Sequence, residues 1–236
     1  TIAQLYAQHD EPIRTVKQGD DTITVAVSME KFTLGQGYII EPILVEIPSN
    51  TQASVVITDL IKEKYDDEET PFQMTGQITK DFYLAHVLDD GYERTYNVPQ
   101  YILDAIEEEG SEFSLENDEW LGEFDFFKHS GWMYAVNNAF PGVGAAGWTL
   151  KDQQVMRWQF TIYGLGADLN ANNEEWGTSA IIKTAQKDNL TWRVAEINSM
   201  SADDKAAFLA TGDNQQHYDK AYDVLTNMES TQAEVD

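Results

Sequence analysis

Asp168, Asn170 and Asn172 place three oxygen donors at alternate positions, the spacing of the first half of a calcium-binding loop. Asn173 stands where such a loop needs its turn glycine and Ser179 where it needs its closing glutamate, so a full EF-hand is excluded. An irregular calcium-stabilised turn, completed by Glu174 or Glu175, is the metal site these residues allow; an Asx-rich turn without metal is the simpler alternative. A second group joins Asp118, Glu119, Glu123 and Asp125 to the rings of Trp120, Phe124, Phe126 and Phe127. Rings beside carboxylates suit sugars, and a pair of carboxylates is the equipment of a glycosidase, but an acidic loop packed on a core has the same composition. The third group is the Phe140–Trp148 loop, where Pro141 and the glycines at 142, 144 and 147 leave backbone open beside an aromatic ring. A glycine-rich hairpin that only holds its own fold together would look alike. Trp120, Asp125, Phe140 and Trp148 are the ligand-binding candidates, and Asp168, Asn170 and Asn172 the metal candidates.

The remaining chemistry is sparse. The four histidines, His9, His86, His129 and His217, are scattered and form no HExxH, nucleophile-elbow or Ser-His-Asp pattern. His129, a loop residue among aromatics, is the one that could ligate the iron of a haem or the cobalt of a corrinoid; an ordinary boundary residue is the plainer reading. Cysteine is absent, which removes disulfides, thiolate metal sites and cysteine nucleophiles together. Forty-one acidic residues against fifteen basic ones give a formal charge of −26, which repels nucleic acid and anionic membrane surfaces. The longest apolar runs are too short to span a bilayer. These features favour binding over turnover, with a small molecule, a glycan or a host or cell-surface protein as partner.

The elements that must position these residues centre on two strands, GWMYAVN and VMRWQFTIY, joined by the Phe140–Trp148 loop. Met156, Trp158, Phe160 and Ile162 point one way and Val155, Arg157, Gln159 and Thr161 the other, which predicts a sheet with one face buried. Ile23, Val25 and Val27 alternate in an earlier strand, and YIIEPILVEIP is extended, with Pro42 arguing for an edge. Residues 50–65 read as a helix through Ile57, Leu60 and Ile61. A second helix starts near Asn97 and Pro99 and stops at Gly110. KYDDEET between them is a solvated charged turn. Residues 1–21 form a lead-in, and 22–169 one α+β domain with an insertion at about 66–118. Residues 170–236 form a C-terminal helical region of three helices, the last with Tyr218, Ala221, Tyr222 and Leu225 in one stripe.

GWMYAVN, Phe140-Pro141, Gly144, TLKDQQVMRWQFT and GADL together resemble a module shared by bacterial surface proteins and the C-terminal domain of transcobalamin and intrinsic factor. Asn137-Asn138 replaces the usual Asn-Gly, a mild departure because Asn tolerates a left-handed backbone; Asp152-Gln153-Gln154 replaces Asp-Gly-Asp. The resemblance implies a β-grasp-like mixed sheet packed with helices, a non-catalytic module and cobalamin or another tetrapyrrole as ligand. Transcobalamin-like proteins add a large helical barrel to complete their pocket, and this chain lacks it. The ending ESTQAEVD resembles the start of the linker helix in helical repeats of Gram-positive surface proteins. It implies an extracellular, wall-attached protein that continues past Asp236.

Overall fold

The computed structural model describes residues 21–89, 96–114, 119–172 and 177–236. The lead-in over residues 1–20, His9, Asp118, Asn173, Glu174 and Glu175 lie outside the described residues. In chain order come β1 (Thr22–Glu30), β2 (Tyr38–Pro48), α1 (Ala53–Lys64), β3 (Phe72–Thr75), β4 (Tyr83–Leu88), α2 (Gln100–Glu108), β5 (Trp120–Gly122), β6 (Gly131–Val136) and β7 (Val155–Thr161). The main sheet has the order β2-β1-β7-β6, with β1 and β7 parallel in the middle and each hairpin partner antiparallel outside. With α1 packed on one face, this is a β-grasp-like α+β fold. The segment expected as an insertion, about 66–118, contains β3, β4 and α2, and β5, which follows it, completes a second, antiparallel sheet of order β3-β4-β5.

The core forms where the alternating apolar positions meet. Val25, Val27 and Met29 of β1, Met156, Trp158 and Phe160 of β7, and Val56, Ile57 and Ile61 of α1 share one buried cluster. Tyr134 stacks on Trp158 at 5.4 Å and Trp132 meets Phe160 edge-on at 5.3 Å, so the two aromatic rows of the sequence lie ring against ring. The β6 strand turns at Asn137 and Asn138, with φ of 51° and 59°, the left-handed pair that suits a tight hairpin. Gln153 also takes a positive φ, 62°, and that corner is tied to β1: Thr24 N donates to Asp152 Oδ1 at 2.9 Å and Gln153 N to Thr24 O at 2.8 Å.

The expectation of a single buried face is corrected. Every residue of β7 is buried, including Arg157, Gln159 and Thr161. The covering layer is the C-terminal region: α3 (Asp188–Asn198), α4 (Ala202–Leu209), α5 (Asn214–Thr226) and α6 (Gln232–Val235). Ala195 of α3 meets Ala26 and Val155 on the second face of the sheet. Small residues there let the helix backbone come close, while the longer side chains of that face are polar. The helices hold a core of their own, built on Leu190, Val194, Ala221, Val224, Leu225 and Val235. The terminal TQAEV phrase is the short α6, with a Thr231–Glu234 capping box, and its Val235 folds back into that core.

Pro42 lies on the edge strand, as its missing N–H requires, beside a register shift in the β1–β2 pairing. Two side chains from the end of α3 occupy the open backbone there. Asn198 Nδ2 donates to Pro42 O at 2.8 Å, and Leu44 N donates to Ser199 Oγ at 2.8 Å.

Candidate functional site

The Phe140–Trp148 loop is fastened at three points. Tyr134 OH donates to Val143 O at 2.6 Å, Ala53 N at the start of α1 donates to Trp148 O at 2.9 Å, and the Gln52 side-chain amide donates to Ala146 O. Burial pushes the Tyr134 phenol up to about 12, so it stays a neutral donor. Beneath and within the loop, the indole Nε1 atoms of Trp158 and Trp148 are buried without an acceptor among the described residues. A buried N–H left unpaired costs roughly 1–3 kcal/mol, so two of them in one region need a reason. Gly142 is exposed, and a Cβ placed there would touch nothing. Phe140 faces the opposite side, against Phe32, Leu169 and Met228.

Trp120 begins β5 opposite Leu88, and the neighbouring Val87 pairs with Phe72, over whose ring Lys62 Nζ sits at 5.8 Å. Trp148 is bonded at Ala53, the other end of the same helix, and the rise from Ala53 to Lys62 is about 13 Å. Trp120 is thus held at the Leu88 end of β4, and Trp148 beside the first residue of α1. Asp125 is a loop-closing residue, its Oδ2 accepting from Gly122 N at 2.7 Å. Each of the four ligand-binding candidates is held by different contacts: Trp120 in β5, Asp125 within the loop that follows it, Phe140 against Leu169 and Met228, and Trp148 at the start of α1. His129, the haem or corrinoid candidate, is half-buried with its ring edge-on to Phe127 at 5.5 Å, and its Nδ1 has no hydrogen-bond partner.

At the metal candidates the carboxylate of Asp168 is fully buried and already occupied. Thr161 Oγ1 donates to it at 2.5 Å, Ile162 N at 2.8 Å and Tyr163 N at 3.0 Å. Burial raises its carboxyl to about 6 despite these donors. Asn170 is exposed in a left-handed turn, and Asn172 Oδ1 accepts from Ala180 N at 3.0 Å. To bind calcium, Asp168 would have to exchange three protein donors for the ion. Among the described residues, no group of three or more His, Cys, Asp or Glu side chains could hold a metal ion.

Sequence reasoning missed a buried ionic layer under α3. Arg157 forks onto Glu30, with Nε to Oε1 at 2.8 Å and Nη2 to Oε2 at 2.7 Å, and reaches Asp188 at 3.4 Å. Asp188 also accepts from Asn138 N at 2.6 Å, which links the tail to the β6–β7 turn. Burial opposes the Arg157 charge, but the adjoining Glu30 carboxylate overrides it and holds the guanidinium well above its ordinary value. Lys187 is 2% exposed, and its Nζ donates to Leu225 O at 2.9 Å and Asn227 O at 2.6 Å, carbonyls at the end of α5. Burial, with Arg157 nearby, lowers its amine to about 7. The alternation of β7 could not reveal this layer, because a polar face reads the same whether water or a helix covers it.

No protein-family model matches the chain, and no curated protein matches it. Among solved structures, haptocorrin in complex with Cbi is similar at 11% identity and a TM-score of 0.35, over 63% of this chain. The match spans 27% of the haptocorrin chain. This is a weak structural resemblance of fold and carries no argument about what the chain binds. Among the described residues no helix is long and apolar enough to cross a membrane.

Proposed function

We propose that this chain is a non-catalytic ligand-binding module that takes its ligand at the Phe140–Trp148 loop. The supporting observation is the pair of buried, unpaired indole donors, Trp148 and Trp158, under a loop with open glycine backbone. A ligand with acceptor groups on a flat or ring-shaped body would satisfy those donors once the loop parts from Tyr134 and Trp158, which are 9% and 3% exposed as the loop stands. The non-catalytic character rests on the sequence, which lacks any recognisable nucleophile–base grouping. Extracellular, wall-attached placement and a role in adhesion rest on the resemblance of GWMYAVN and TQAEVD to surface-protein segments; detection of the protein on intact cells by surface labelling would test them.

The ligand classes are separated by one experiment. The purified chain is titrated with cobalamin, haemin and a panel of oligosaccharides, with and without calcium, following tryptophan fluorescence and the absorbance of the two chromophores. The expected result is saturable binding of one class that Trp148→Phe weakens, since the ring is kept and the N–H is lost. A Soret or corrin band shift abolished by His129→Ala would select a tetrapyrrole ligated by that histidine. Binding unaffected by Trp148→Phe, or no binding by any probe, would refute the assignment of the site.

A further inference from the structure

Phe124 is 67% exposed, an unusual position for a ring two residues from the buried Phe126. Its φ is 67°, a region in which a bulky side chain costs on the order of 1–3 kcal/mol. The loop imposes that conformation. Phe124 N donates to Ser130 O at 3.2 Å, Phe127 N to Asp125 O at 2.8 Å and Ser130 N to Phe127 O at 3.0 Å. Gly122 N is held by the Asp125 carboxylate at 2.7 Å, and Ser130 Oγ donates to Asp125 O. Glu123 N is bonded to Ala85 O of β4 at 2.9 Å, and Phe126 and Phe127 root the loop in the core. Phe126 shares the left-handed backbone, at φ 70°, and turns inward to Phe160 at 6.0 Å. The same strained loop thus sends one ring into the core and holds the other out toward solvent.

The surroundings narrow what such a ring could meet. Tyr83, 46% exposed, donates its OH to the Glu123 carboxylate at 2.7 Å, next to Phe124. Val143, 50% exposed, tips the loop that passes over Phe82, the residue before Tyr83. Carboxylates accompany these apolar groups at Glu123 and Asp125, and Lys128 of the same loop is paired with Glu109 at 2.8 Å. A nucleic acid or an anionic membrane is repelled by this setting and by the charge of −26. A sugar stacks on a flat platform, whereas a single projecting ring needs a pocket to enter.

We propose that Phe124 is the anchor of a protein-docking surface, and that its partner presents an apolar pocket bordered by lysine or arginine. A rigidly presented aromatic ring gives contact area without ordering cost, and the carboxylates around it set the sign of the partner's rim. Val143 borders both this surface and the ligand loop, but the two readings fail separately, because substituting Phe124 leaves Trp148 and Trp158 in place.

The test is selection of displayed random dodecapeptides on the immobilised full chain, with counter-selection on Phe124→Ser. Enriched peptides should combine apolar residues with lysine or arginine, bind more weakly as salt is raised, and lose about tenfold or more in affinity on Phe124→Ser while Phe124→Trp retains them. The melting temperature of Phe124→Ser should match the parent, since the ring is exposed. Peptides that bind both forms alike, enrichment without basic residues, or no enrichment at all would overturn the proposal. Dimers of the parent that Phe124→Ser dissolves, or binding to phosphatidylcholine vesicles that it abolishes, would reassign the ring to self-association or to lipid.

Discussion

Arg157→Ala should be among the most damaging single changes in the protein. The guanidinium makes two short bonds to Glu30 and a longer one to Asp188, and its removal strands two carboxylates in a buried layer. Glu30 is 1% exposed and, among the described residues, keeps the Ser28 hydroxyl, at 2.7 Å, as its remaining side-chain donor. Breaking a buried pair by removing one partner costs roughly 3–5 kcal/mol. At about 2–4 °C per kcal/mol for a chain of this size, the melting temperature should fall by about 10 °C. The informative comparison is the double variant Glu30→Gln with Arg157→Met, which removes the charges together and should recover most of the loss. Urea unfolding of the parent, the two single variants and the double variant gives the coupling directly. A loss below about 1 kcal/mol for Arg157→Ala, the level of an exposed ion pair, would mean that water reaches the layer and that the tail does not cover this face.

Trp158→Ala, which removes the ring stacked between Tyr134 and the core, should cost roughly 3–5 kcal/mol in the same assay; an unmoved midpoint would contradict its burial. Lys187 gives a pH signature. Its amine is held near 7 in the folded chain against an ordinary 10.5, so between those values the unfolded chain binds more protons and stability should rise with pH; Lys187→Met should flatten that limb. Asp168 acts in the opposite sense at lower pH. With its carboxyl raised to about 6 from 3.8, the folded chain binds more protons in that window, so its contribution is present below the window and lost as pH rises through it; Asp168→Asn should remove that slope from a urea–pH series. Deleting residues 189–236 should expose Ala26 and Val155 and leave Asp188 at a chain end with no helix to hold it against Arg157, lowering stability and solubility; a truncated chain as stable as the parent would make the helices an independent spacer.

The sheet was legible because its signal is local. Trp132, Tyr134, Trp158 and Phe160 repeat with period two, and Asn137-Asn138 announces a left-handed turn, so strands, turn and inner face follow from neighbouring residues. The long-range arrangement was not. Whether Arg157 faces water or a helix depends on α3, which begins at Asp188, thirty-one positions away. The surroundings of the candidate sites were hidden for a similar reason. Nothing near Trp120 or Trp148 in the sequence says that β5 pairs with β4 while the loop is bonded to the start of α1. Asp168 looked like a ligand because an oxygen donor for a cation and an oxygen acceptor for backbone N–H groups are the same atom, and spacing alone does not distinguish their uses. Phe124 was visible only as one ring in an aromatic run; its left-handed backbone and exposure belong to the closed loop.

The two side chains that hold β2 from outside also impose an order on synthesis. β1 finds its central partner only across the separation from Ala26 to Val155, so the sheet cannot be completed until most of the chain has left the ribosome. Through all of that interval β2 has an open edge of eleven residues, YIIEPILVEIP, rich in the β-branched residues that pair readily with other chains. Its local safeguards are Pro42 and the charges of Glu41 and Glu46, and the closing bonds come only with Asn198 and Ser199. The nascent protein is therefore most prone to aggregate after β2 emerges and before α3 does. Conditions that slow the last quarter of translation should reduce soluble yield more than equal delays elsewhere, and replacing Asn198 and Ser199 together with alanine should lower yield by more than it lowers the melting temperature.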